Sequence, residues 1–271
     1  DFSEIDDREE LDLRKTAWQR YLQTRDPDDI AALEDLGVSP EDLSDFFGDL
    51  CQFEDVKLYR PSADNPDLTE AVREVIDFIE RVEPHIPERP VHEKGYDACQ
   101  QAVLEGRRFL EYHGLETDGD RAQLLQKFEG LASYSQSKEK WTDKLRYSRW
   151  GDRGSPDYTF AQKVGKEWLP ELTEQTLTPV LEQWEAYVYD RAAEFTLPAV
   201  AFYREMRLEE GKLSFQDLLV RARDLLRDRP DVREFFQQRY RHLFVDEFQD
   251  TDPIQAEILF YLTDDQRLEE K

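Results

Sequence analysis

Residues Phe244–Gln255 read FVDEFQDTDPIQ. Two adjacent carboxylates, Asp246 and Glu247, follow an apolar run. A carboxylate at the carboxyl end of a parallel strand lies where open α/β sheets bind ligands. It can hold Mg²⁺, mostly through water, because Mg²⁺ dehydrates reluctantly. A second carboxylate beside it can take a proton from the water that attacks a γ-phosphate. Gln249 is a neutral group able to sense a phosphate or that water. The bland alternative is that the two acids only cap a turn.

A second stretch carries different chemistry. Lys138–Lys166 (KEKWTDKLRYSRWGDRGSPDYTFAQKVGK) has net charge +4 inside a chain of net charge -26. Its cations include Lys138, Lys140, Lys144, Arg146 and Arg149, and Trp141, Tyr147, Trp150, Tyr158 and Phe160 interleave with them. Cations that meet phosphates, beside rings that stack on bases, suit single-stranded nucleic acid. The alternative is a basic loop folded over an acidic neighbour with its aromatics in the core.

The elements that must position these groups are almost all helical. DLTEAVREVIDFIERV puts Val72, Val75, Ile76 and Ile79 on one face, with Asp67 and Glu70 spaced as a capping box. EPHIPERP then breaks the pattern as a linker. Helices are expected over about 95–113, 119–135 and 166–209, with Pro198 kinking or dividing the last. After Gly211, LSFQDLLVRARDLL places Phe215, Leu218, Leu219, Ala222 and Leu226 on one face behind a Ser214/Asp217 capping box. Only HLFVDE reads as a strand, with Leu243, Phe244 and Val245 buried in a parallel sheet. Asp252 and Pro253 open the next helix, whose apolar face is Ile254, Ile258, Leu259 and Leu262.

Composition bounds the rest. The 271 residues are 39% hydrophobic, enough for a core, and contain no apolar run long enough to span a bilayer. Cys51 and Cys99 are far apart and match no metal-ligand spacing, which suits a reducing, cytoplasmic compartment. The acidic start DFSEIDDREE is no signal peptide, and it lacks a Met, so the chain is expected to be cut from something longer. The charge alone disfavours nucleic acid. Yet 25 arginines against 11 lysines, among acids spread along the whole chain, suggest a salt-adapted, halophilic origin, in which case only local basic patches inform about partners.

VDEFQDTDPIQ resembles motif II, the Walker B element, of the UvrD/Rep and RecB/AddA branch of superfamily 1 DNA helicases. EEGKLSFQDLL and RYRHLFVDE resemble the segments leading into that motif, so the specific likeness spans about residues 203–262. The resemblance implies a mostly α-helical 1B-type subdomain, residues 1–210, joined to an incomplete P-loop NTPase α/β (RecA-like) piece, residues 211–271. It implies that Asp246 is the Mg²⁺ residue, that Glu247 is the catalytic base, and that Gln249 and Asp250 couple the nucleotide to neighbouring motifs. ATP and Mg²⁺ are the implied cofactors. DNA, as single strand and fork, is the implied partner. A nuclease or helicase partner is a possible companion, and 3′-to-5′ translocation is the implied direction. The sequence departs from the family in having no G-x-x-x-x-G-K-[ST]. On this reading the fragment is expected to be inactive alone, whereas a longer parent would unwind DNA in repair or recombination. Two rival classes stay open: a non-catalytic module binding DNA or a partner, and a P-loop ATPase that ignores nucleic acid.

Overall fold

The structure is a computed structural model describing residues 3–52, 58, 60, 62–131 and 145–263. It divides into two compact units. One comprises residues 25–46 and 58–196, and the other residues 1–24, 47–57 and 197–271. Each unit is therefore drawn from separate stretches of the chain.

The first unit holds α2 (Pro27–Glu34), most of α3 (Pro40–Gln52), α4 (Thr69–Val82), α5 (Ala98–Tyr112), α6 (Asp118–Gln126), α7 (Pro156–Lys163), the short α8 (Leu169–Glu171) and the start of α9 (Thr178–Glu209). Local sequence sets the helix starts. The Asp97/Gln100 box opens α5 and the Thr117/Asp120 box opens α6, each pairing side chain and backbone in both directions. Proline stands first in α2 and α7, where no N–H is needed. Val72, Val75 and Ile79 of α4 are buried against Val103 of α5, Leu124 of α6 and Phe128. Gly106 lets α4 and α5 approach, since a Cβ there would meet Ile79 Cδ1 at 2.9 Å.

The Asp67/Glu70 box does not form as expected. Asp67 accepts from Thr69 N at 2.9 Å, one residue nearer, while Glu70 pairs with Arg73 on the helix surface. The third expected helix starts earlier, at Pro156. It passes through π-turns at Val164–Trp168 and Leu172–Leu177 before α9. Pro198 does not divide α9, which runs unbroken from Thr178 to Glu209.

The second unit holds α1 (Asp7–Leu22), the end of α3, the end of α9, α10 (Phe215–Asp228), α11 (Pro230–Arg239) and α12 (Pro253–Leu262). Trp18 stacks on Phe47 with ring centres 5.0 Å apart, and Phe47 meets the Tyr203 ring edge-on at 6.3 Å. Among the described residues the only paired strands are β1 (Ser3–Glu4) and β2 (Lys212–Leu213), which run parallel. The α10 face expected to be apolar is covered in part: Leu226 is buried, whereas Phe215 and Leu218 are exposed.

The parallel strand expected at Leu243–Val245 is absent. Residues 242–245 have no regular structure, Phe244 is 96% exposed and Val245 is 45% exposed. A parallel strand is held by hydrogen-bonded neighbours and by helices over its faces. Among the described residues, no other strand lies beside this stretch.

Candidate functional site

Asp246 and Glu247 sit on the loop between α11 and α12, and both are exposed. Asp246 Oδ1 accepts from Glu247 N at 3.0 Å. Glu247 has φ 53° and ψ 46°, the only non-glycine positive φ among the described residues. That left-handed conformation costs a side-chain-bearing residue about 1–3 kcal/mol. Gln249 Nε2 donates to Glu247 Oε2, so the glutamine touches the carboxylate that the sequence singled out. Phe248–Asp250 makes one 3₁₀ turn, and the Asp250 side chain lies outside the described residues.

The loop ends where Asp252 caps α12, accepting from Gln255 N at 2.8 Å behind Pro253. The expected start of this helix is therefore present, and Gln255 takes part through its backbone. Two solvated carboxylates fit Mg²⁺, which takes one or two protein oxygens and completes its shell with water and phosphate. They do not make a dedicated cage: no cluster of three or more His, Cys, Asp or Glu suited to a metal occurs among the described residues.

The basic segment divides. Lys138, Lys140 and Lys144 lie outside the described residues. Arg149 and Trp150 are corrected from surface to core, at 5% and 2% exposure. Trp150 Nε1 donates to Asp97 Oδ2 at 2.9 Å, and Arg149 Nη1 donates to the Tyr96 carbonyl at 2.7 Å. A ring so enclosed has no face open to a base. Arg146 is half-buried, and its backbone N donates to the same Asp97 oxygen at 2.8 Å. Burial pushes the Asp97 carboxyl above its ordinary range, against the lowering effect of the donors around it.

Sequence reasoning missed this buried node, although the Asp97/Gln100 spacing was its visible half. It also missed Trp168, whose ring has Arg81 at 4.8 Å and Lys163 at 5.0 Å from its centre. The Ser214/Asp217 box was legible and is present, but Asp217 also pairs with Arg207 at 2.8 Å.

The family profile of the UvrD/REP helicase N-terminal domain matches residues 53–268. YjcD of Bacillus subtilis (strain 168), a protein named among the ATP-dependent DNA helicases, is 28% identical over 132 residues, covering 48% of this chain and 16% of that one. DNA helicase II of Haemophilus influenzae is 35% identical over 66 residues, covering 24% of this chain and 9% of that one. An ATP-dependent helicase/nuclease protein of Streptococcus pneumoniae (strain Hungary19A-6) is 36% identical over 64 residues, covering 24% of this chain and 5% of that one. The chain thus spans less than a fifth of the length of each of these relatives. No solved structure matches it. The profile covers most of the 271 residues, motif loop included, and the chain belongs to the UvrD/REP helicase N-terminal domain family.

Proposed function

We propose that this chain carries the motif II carboxylates and the helical 1B-type insertion of an ATP-dependent DNA helicase. The carrying observation is the exposed Asp246–Glu247 pair on a loop that runs straight into a capped helix, in a chain of this family. In this reading Asp246 holds Mg²⁺ and Glu247 accepts the proton of the water attacking the γ-phosphate. Gln249, already hydrogen-bonded to Glu247, orients that carboxylate. The phosphate-cradling loop is supplied by a longer polypeptide, since these 271 residues contain no Walker A sequence. Single-stranded and forked DNA is the partner, and translocation runs 3′ to 5′. The name of the Streptococcus pneumoniae relative favours a nuclease-linked assembly as one setting for the parent. The basic stretch around Lys138, Lys140, Lys144 and Arg146 is the proposed DNA contact of this chain.

The test is Glu247→Gln in the longer polypeptide. The amide keeps the shape but cannot accept the proton, so turnover should fall about 10²–10⁴-fold while ATP binding persists. Turnover near the parental rate would remove Glu247 from the role of base. The missing phosphate loop favours a second reading, in which the chain is an accessory module that hydrolyses nothing. The two readings part on whether DNA-stimulated turnover appears when a phosphate loop is restored.

A further inference from the structure

The ion pair between α9 and α10 is buried, and the chemistry described so far gives it no role. Arg207, at 1% exposure, donates from Nη2 to Asp217 Oδ1 at 2.8 Å, and its guanidinium lies 4.8 Å from the Tyr203 ring centre. Asp217 Oδ2 accepts from Ser214 N at 2.9 Å and from Ser214 Oγ at 3.1 Å, while Asp217 N donates back to Ser214 Oγ at 3.1 Å. One carboxylate thus closes the cap of α10 with one oxygen and ties it to α9 with the other. The β1–β2 pairing fixes the same corner, with Ile5 N donating to Leu213 O at 3.0 Å.

A buried ion pair is weak evidence for stability, because desolvation consumes most of its Coulombic gain. A use open to such a pair is to fix one arrangement, and here the elements it joins lead to the site. α10 and α12 make the most extensive helix–helix contact among the described residues. Gln237 Nε2 of α11 also donates to the Tyr261 carbonyl of α12 at 2.7 Å. α12 begins at Pro253, directly after the Asp252 cap that ends the loop carrying Asp246 and Glu247.

We propose that Arg207 and Asp217 are positioning residues for the motif II carboxylates: the pair sets α10, α10 sets α12, and α12 fixes where the Asp246–Glu247 loop ends. This rests on the functional reading above only for the statement that the loop is catalytic. Neither residue touches substrate.

Hydrogen exchange of the chain, without nucleotide, tests the mechanical half. Asp217→Asn and Arg207→Met should speed exchange in α12 about ten-fold or more, together with α10, and leave α4 and α5 unchanged. Arg207→Lys, which keeps the charge, should restore most of the protection and serves if the harsher variants do not fold. Faster exchange in α10 with α12 unaffected would reduce the pair to a local cap and overturn the proposal. Uniform acceleration that includes α4 and α5 would overturn it as well. In the longer polypeptide, Asp217→Asn should lower kcat about ten-fold with KM for ATP unchanged, because misplacement affects the transition state more than binding. An unchanged kcat alongside loosened α12 would show that positioning stops short of the carboxylates and would overturn the proposal. Failure of Glu247→Gln to reduce turnover would strike the functional reading alone, leaving the exchange result in place.

Discussion

Two buried aspartates carry their charge in opposite ways. Asp97 is enclosed and takes donors from Gln100 N, Arg146 N and Trp150 Nε1. Asp97→Ala would strand buried donors and remove a helix cap, costing about 2–5 kcal/mol in urea unfolding. A loss under about 0.5 kcal/mol, the size of an ordinary surface change, would mean the node is not buried in solution. Its folded-state pKa is raised, so its ionised form is disfavoured in the folded chain, and this penalty lessens as pH falls through the raised value. Asp190 is the reverse case. Arg191 and Arg60 both bond its carboxylate and hold its pKa below the ordinary range, with Arg60 Nη2 at 2.8 Å. Its contribution is present above the unfolded-state pKa and is lost as pH falls through the lowered folded value. The penalty of Asp190→Asn should therefore be largest near neutral pH and shrink from about pH 4 downward. A penalty independent of pH would show that the arginines do not act through its charge.

At the scale of elements, what was legible depended on how local each signal is. The Ser214/Asp217 box and the Asp252 cap with Pro253 behind it read correctly because a cap is decided within four residues. The burial of Trp150 was legible only as the alternative reading of its segment, since its partner Asp97 lies 53 residues away and the surrounding cations suggested a surface. The strand at Leu243–Val245 was read from its apolar run, but a strand exists only through its neighbours. No backbone hydrogen bond joins 241–246 to another strand among the described residues. Phe244→Lys should then change the stability of this chain by less than about 0.5 kcal/mol. In a longer polypeptide that supplies flanking strands, the same substitution should cost at least about 3 kcal/mol, the scale of losing a buried phenylalanine. Equal costs in the two settings would show that the residue is packed already, or that no sheet forms around it. The carboxylates of the candidate site were legible from their string. The left-handed backbone at Glu247 was not, because nothing in that residue's type favours it.

At the scale of the molecule, two facts escape local pattern. The first is that each compact unit is assembled from separate stretches, with changes of unit after residues 24, 46, 57 and 196. Pairings such as β1 with β2, or Trp18 with Phe47, join residues that no window of sequence brings together. The second is charge. A net of -26 over 271 residues places many carboxylates within repelling distance, and 36 cations cannot neutralise 62 acids. Self-repulsion of this kind destabilises the compact state, and added salt screens it, the Debye length falling from about 10 Å at 0.1 M to about 3 Å at 1 M. Buried pairs such as Arg207–Asp217 are screened far less, so salt should relieve the repulsion without dissolving the ties that hold the fold. The Tm should therefore rise between 0.1 M and molar KCl, by about 2–4 °C for each kcal/mol relieved in a chain of this size. KCl is the salt to use, because sulfate also strengthens apolar burial and would confuse the two causes. A Tm that stays flat or falls would mean that the carboxylates are already spaced or paired well enough, and the acidity would then need a cause other than adaptation to salt.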